Sequence, residues 1–220
     1  MTSTTYPHAL QQDVAALHDA FQMPNRSLTP GALPTGRREL RLALMQEEGV
    51  DELSAELANR NPVMTIDALI DTMYVTLGTL VEMGISVYSD ELPKLEAQRS
   101  SVDIEILFDE AQTALERNRV YIVQLADLFG RSHLFLEQAQ CLTYITGNAI
   151  TPLIKAGLDV QPFWDEVQRS NMSKLGTDGK PIHSRGYELD GKPEGKTLKG
   201  PNFSEADLAS VFAGYTGDRE

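Results

Sequence analysis

Apolar residues recur three and four positions apart through most of the chain, the period of a helix with one buried face. Leu10, Val14, Leu17 and Phe21 predict a first short helix between Tyr6 and Met23, and Pro24 favours its end. Residues 24–36 hold three prolines and two glycines among polar residues, which predicts an ordered loop or linker. From Arg37 to Arg60 the chain is rich in Leu, Ala, Glu and Arg, strong helix formers that predict one long helix. Asn61-Pro62 reads as its break, and Thr65, with Asp67 and Asp71 behind it, as the opening of a second helix antiparallel to the first. A third helix is expected from Ser101 to near Gly130, a fourth from about His133 to Ala156 with Gly157 as its stop, and a short fifth from Val160 to Lys174. Beyond Leu175, Gly, Pro and Lys dominate without a sustained period, which predicts loops or short hairpin-like pieces. The fold class is therefore expected to be all-α.

Two stretches share a texture. Tyr74–Ser86 and Tyr144–Asp159 each run through small and apolar residues to a Gly-aliphatic-polar ending, and each follows a long helix. One reading is a duplication: two helical hairpins packed as a four-helix bundle. The other is chance likeness between amphipathic helices. The expected division is an N-terminal helix and linker over 1–36, a first hairpin over 37–92, a second over 93–175, and a loop-rich tail over 176–220 closing over the site.

Composition narrows the function. With 220 residues and 41% hydrophobic content the chain can bury a substantial core. A net charge of -13 argues against a nucleic-acid or anionic-membrane surface, each of which calls for a basic stripe. Cys141 is the single cysteine, so no intrachain disulfide can form, which fits a reducing compartment. The start MTSTTYPHAL has no basic segment followed by an apolar run, and no stretch is read as long enough to cross a bilayer. A cytoplasmic protein is the expectation.

The chemistry concentrates in acids. Glu47 and Asp51 are four apart, Glu48 and Asp51 three, and Glu48 and Glu52 four, so a carboxylate patch projects from one helix side. Leu40 and Leu44 lie one turn earlier, so the patch continues a stripe that reads as core-facing. Asp67 and Asp71 repeat the spacing on the next helix, with Tyr74 and Gly78 further along that face. Like charges in a partly dry space must be protonated or balanced by cations, and hard oxygen ligands select magnesium, manganese or calcium over zinc. A solvated acidic face is the alternative. Gly49 costs a helix interior ~1 kcal/mol, which points either to a close neighbour or ligand, or to a kink.

The stretches EEGVDEL, DALIDTMYVTLG, EVQRSNMSKLGTDGKPI and KTLKGPNF resemble the phage-type, MazG-like branch of the all-α nucleoside triphosphate pyrophosphohydrolases, the superfamily of phosphoribosyl-ATP pyrophosphohydrolase and the dimeric dUTPases. The likeness runs over Arg38–Ser86 and Asp159–Phe203. It implies a metal set of Glu47, Glu48, Asp51 and Asp71, with magnesium or manganese bound. The Glu of the family's Glu-x-x-Asp falls on Ala68, where Asp67 would have to substitute. About seventy residues separate the first stretch from the second where compact relatives have almost none. The second hairpin fills that gap, and its acid equivalents around Asp109, Glu110, Thr113 and Tyr144 look degraded.

By this resemblance the first hairpin is catalytic, and the activity is hydrolysis of a (d)NTP to (d)NMP and pyrophosphate in nucleotide-pool control. Glu48 orients or deprotonates water. Arg169, Asn171, Lys174 and Lys180 would bind substrate, with Tyr74 or Trp164 near the base. Residues 168–202 carry a local balance of +3, counting Arg185, Lys192, Lys196 and Lys199, within a chain of -13. The expected partners are a nucleoside triphosphate and a second copy of the chain, as a homodimer or higher oligomer, with neither nucleic acid nor membrane. A catalytically weak sequestering protein, an alarmone hydrolase and a purely structural helical module are the competing readings.

Overall fold

The computed structural model describes residues 8–26, 29–182 and 198–217, and every regular element among them is helical. α1 (Ala9–Ala20) is the first short helix. The rod expected over 37–60 forms, but in three parts: α2 (Thr35–Gln46), a π-turn (Glu47–Glu52) and α3 (Leu53–Asn59). Next comes α4 (Pro62–Met83), which begins earlier than Thr65. Asn61 is its cap, its side chain accepting from the Met64 N–H at 3.2 Å, and Pro62 is preorganised for the first turn, where its missing donor costs nothing. The dipeptide that ends the rod therefore also starts α4.

α5 (Ile104–Phe129) starts from Asp103, whose carboxylate accepts from the Ile106 N–H at 3.2 Å. α6 (Phe135–Lys155) and α7 (Val160–Met172) follow where expected. The tail differs from expectation, because α8 (Leu208–Thr216) closes it. Leu208 and Phe212 are buried, Tyr215 stacks on Phe163 of α7 with ring centroids 5.7 Å apart, and the helix contacts α4 and α7.

α4 is the centre of the molecule. It touches the other seven α-helices and the π-turn, and its side chains from Ile66 to Met83 are almost all buried. It also corrects the expectation that no stretch could span a bilayer. Its length and mean hydropathy of 1.3 suffice, and 72% of that window is buried inside the fold. Around it, the α2–α3 rod packs on α4 and α5, α5 on α6, and α6 on α4.

The ends of α4 and α6 are built alike. Gly84 (φ 70°) and Gly157 (φ 88°) adopt the left-handed conformation open to glycine. Gly84 donates to the Val81 carbonyl at 3.1 Å and Ile85 to Leu80 at 3.0 Å; 73 residues later Gly157 donates to Ile154 at 3.3 Å and Leu158 to Leu153 at 2.9 Å. A Cβ on either glycine would stand 2.2 or 2.4 Å from a carbonyl oxygen, of Arg26 or Ser101, in the strap preceding each hairpin.

A buried ionic node ties α1 and α2 to the far half of α4. Glu82, fully buried, accepts from Arg41 at 2.6 Å and also from Arg37. His18 donates through Nδ1 to the Pro24 carbonyl at 2.8 Å, while Arg41 reaches its Nε2 at 3.4 Å. Gly78, read from the sequence as continuing the acidic face, instead makes room here, since a Cβ would lie 3.1 Å from the imidazole. Burial, and after it the Arg41 charge, lowers the His18 pKa to about 4. The unfolded chain, with an ordinary pKa near 6.5, therefore binds the proton first as pH falls. The stability contributed by neutral His18 is complete above pH 6.5 and is lost between about 6.5 and 4, roughly 3 kcal/mol in all. In an NMR titration the His18 imidazole resonances should stay unshifted from pH 8 to about 5; a midpoint near 6.5 would sink this assignment.

Candidate active site

The π-turn decides which acids face α4. An i→i+5 turn widens the helix by one residue and commonly marks functional positions. With Gly49 and Val50 turned inward, Glu48 and Glu52 both project toward Asp71 of α4. Glu48 shares a hydrogen bond with Glu52 and feels Asp71 and Glu47. Asp67 faces Glu52 and Glu56, and Asp71 faces Asp67 and Glu52. Asp51 is not part of this group: it is exposed and accepts from Gln46 Nε2 at 2.8 Å. Glu47 is exposed at the rim. Glu52, which spacing placed on the patch but the resemblance left out of the metal set, takes the place of Asp51 here, and Glu56 is an acid the sequence did not single out.

Two further expectations about this face change. Leu40, read as core-facing, is 43% exposed. Gly49 does meet close neighbours, but its missing Cβ would stand at ordinary contact distance, 3.5 Å from Thr72, so the turn rather than crowding explains it. Its carbonyl accepts from Asn118 Nδ2 of α5 at 3.4 Å. Ala68 is fully buried, so the family's missing acid is core here.

Burial, then the neighbouring carboxylates, raises the Glu48 pKa to about 9 and that of Asp71 to about 7. Asp67 rises for the same reasons. One Glu48 oxygen is buried with no hydrogen-bond partner. A carboxylate cluster in this condition calls for positive charge. Among the described residues, no three His, Cys, Asp or Glu side chains are close enough to hold an ion as they stand, so assembling a ligand set requires the longer side chains to turn.

Across the acids stands the end of α7. Lys174 lies within electrostatic reach of Asp71 and Glu48, and its ammonium donates to Asn171 Oδ1 at 2.6 Å. Burial, and after it the nearby Lys199, lowers its pKa although the acids oppose this. Lys199 is held there by the tail: Gly200 donates to the Lys174 carbonyl at 3.0 Å, and a Cβ on Gly200 would stand 2.2 Å from the Leu175 carbonyl oxygen. Tyr74 bonds to Gln168 and stacks on Trp164 with centroids 4.2 Å apart. Trp164, fully buried and donating to Asp13 at 2.9 Å, is a core residue that backs Tyr74.

Asn171, Lys174 and Tyr74 are thus brought together with the acids, whereas Arg169 and Lys180 are not. Arg169 is exposed, paired with Glu166 at 2.7 Å and bonded to the Glu205 carbonyl. Lys180 is exposed on the turn after Gly176. Arg185, Lys192 and Lys196 lie outside the described residues.

Residues 14–92 match the model of the phosphoribosyl-ATP pyrophosphohydrolase family. That stretch is about a third of the chain and holds α2, the π-turn, α3 and α4, with every clustered acid. The resemblance to this superfamily holds there; Asn171 and Lys174 lie beyond the match. Among solved structures, the chain is similar to a protein of Exiguobacterium sp. 255-15 provisionally described as an NTP pyrophosphohydrolase, at 21% identity over 98% of this chain and 100% of that one, with a TM-score of 0.45. Backbones that far apart permit no residue-by-residue transfer. No curated protein matches the chain.

Proposed function

We propose that the protein is a magnesium-dependent nucleotide pyrophosphohydrolase that cleaves a nucleoside or deoxynucleoside triphosphate to its monophosphate and pyrophosphate. The observation that carries this reading is the cluster of Glu48, Glu52, Asp67 and Asp71 on two facing helices, with a buried, unpartnered Glu48 oxygen and the Lys174 ammonium opposite. The family match over 14–92 supports it. These four carboxylates would hold magnesium or manganese, which neutralises phosphate charge and acidifies a bound water. With a cation bound, Glu48 would give up the proton its buried carboxyl otherwise holds, and would be the group to orient or accept a proton from the attacking water. Lys174 donates to a phosphate oxygen, and Asn171 fixes where that ammonium points.

Purified protein incubated with Mg2+ and a panel of dUTP, dCTP, the other triphosphates and ppGpp should release pyrophosphate and monophosphate together from at least one triphosphate. Tight binding with no pyrophosphate release would overturn the enzyme reading in favour of sequestration, a reading whose footing is the buried Ala68. The panel also separates a triphosphate substrate from an alarmone.

The register of the π-turn has its own test. Glu52→Gln should lower turnover by about 10–100-fold, while Asp51→Asn should leave it within about fivefold, as expected for an exposed charge. The opposite order would restore Asp51 as the ligand.

A further inference from the structure

The second hairpin carries a cavity where the first carries its acids. The repeated caps relate α4 to α6 by 73 positions. α2 and α5 begin 69 positions apart, at Thr35 and Ile104. The ionic contact between them and their partner helices fits the same offsets with its charges exchanged, Arg41–Glu82 at 2.6 Å against Glu110–Lys155 at 2.8 Å. Gly49 and Asn118, equivalent under this relation, bond to each other.

Under those offsets Glu48 corresponds to Arg117, Asp71 to Tyr144, Tyr74 to Gly147 and Gly78 to Thr151. Arg117, Tyr144, Gly147 and Thr151 line one cavity of about 280 Å³, with Tyr121 and Asn148 among the remaining walls. The exchange has reversed its chemistry. Two acids have become a guanidinium and a phenol, so the cavity has lost the means to hold a divalent cation. At the Gly147 position, where the first hairpin has Tyr74 stacked on Trp164, there is no ring, and Pro93 and Leu92 pack there instead, 3.6 and 3.7 Å from where a Cβ would stand.

What remains suits a planar anion. Arg117 is exposed and pairs with no carboxylate among the described residues. The Tyr121 and Tyr144 rings lie 5.5 Å apart at a tilt of 38°, and Tyr144 is 38% exposed, so a ring face is open to a ligand. Asn148 already donates to Asn118 at 3.2 Å and keeps its carbonyl oxygen as an acceptor. One acid, Glu91, lies on the wall and would repel a doubly charged group placed beside it, which limits the phosphate to the Arg117 side. A cavity near the lower limit for small-molecule sites takes one base and one phosphate rather than a longer polyphosphate.

We propose that this cavity is a metal-independent binding site for a nucleoside monophosphate, with the phosphate on Arg117 and the base against Tyr144. The site is separate from the acids of the first hairpin and does not depend on hydrolysis occurring there. Titration calorimetry in EDTA with AMP, GMP, CMP and dUMP, each against the full chain, tests it. At least one should bind saturably, more tightly than inorganic phosphate or the free nucleoside. Arg117→Ala and Tyr144→Ala, both at exposed positions, should each weaken that binding about tenfold, while Glu48→Gln leaves it unchanged. Absence of saturable binding by all four, or binding that survives both cavity variants and is lost in Glu48→Gln, would overturn the proposal. Because no metal is present, these outcomes stand apart from those of the magnesium assay.

Discussion

Glu82→Ala should lower the melting temperature by about 6–20 °C, the largest stability loss expected of any single substitution outside the apolar core. The carboxylate is fully buried and holds the buried Arg41 as well as Arg37. Its removal leaves a guanidinium with no counter-charge in the interior, a situation that costs about 3–5 kcal/mol; at about 2–4 °C per kcal/mol for a chain of this length, the stated range follows. His18 shares the cluster through Arg41, so its low pKa should fall further without the carboxylate. The cost lies in the uncompensated charge rather than in the lost attraction. The double variant Glu82→Met, Arg41→Met should therefore recover most of the stability, as read by thermal and urea unfolding. Equal losses in the single and double variants would show that packing, not charge, is what this node supplies.

How legible was this molecule in its sequence? Local chemistry that acts over three or four residues was readable in part: Gly157 as a stop and the apolar period that set α4 through α7, although α5 was expected from Ser101 and starts instead from its Asp103 cap. Asn61-Pro62 was read as a break because proline ends helices, yet the same pair also begins one. α8 did carry its period, with Leu208, Val211, Phe212 and Tyr215 three and four apart, but the glycine-rich stretch before it masked the signal. In the site, Glu48, Asp67 and Asp71 followed from helical spacing. Spacing placed both Asp51 and Glu52 beside Glu48, and the choice of Glu52 over Asp51 did not follow from it, because the π-turn sets which of the two faces α4. Gly49 was its one local trace. Lys199 opposite Lys174 depends on a tail contact that no period encodes, and Gly78 changed meaning because a long-range neighbour, His18, occupies its face.

The same carboxylate crowding that makes Glu48 costly to keep makes Glu48→Gln informative. Glutamine has nearly the same shape and, like the protonated Glu48 carboxyl, no charge, so the buried contacts of the side chain remain while its capacity to ionise is removed. Folding should be unharmed, and the metal-free protein should melt close to the wild type, because a neutral amide replaces a carboxyl that burial already keeps protonated near pH 7. Turnover should fall by roughly 10²–10⁴-fold, the range for loss of a positioned general base, and the stabilisation that Mg2+ gives the wild type should shrink with it. Activity is thus lost while stability is kept, which an ordinary structural defect would not produce. A purely structural role for the acidic face predicts unchanged activity and unchanged response to Mg2+. A variant that lost activity through misfolding would melt lower and expose Trp164, whose buried indole reports on the packing behind Tyr74. Measured side by side, melting temperature with and without Mg2+, tryptophan emission and pyrophosphate release therefore separate a catalytic Glu48 from a structural one.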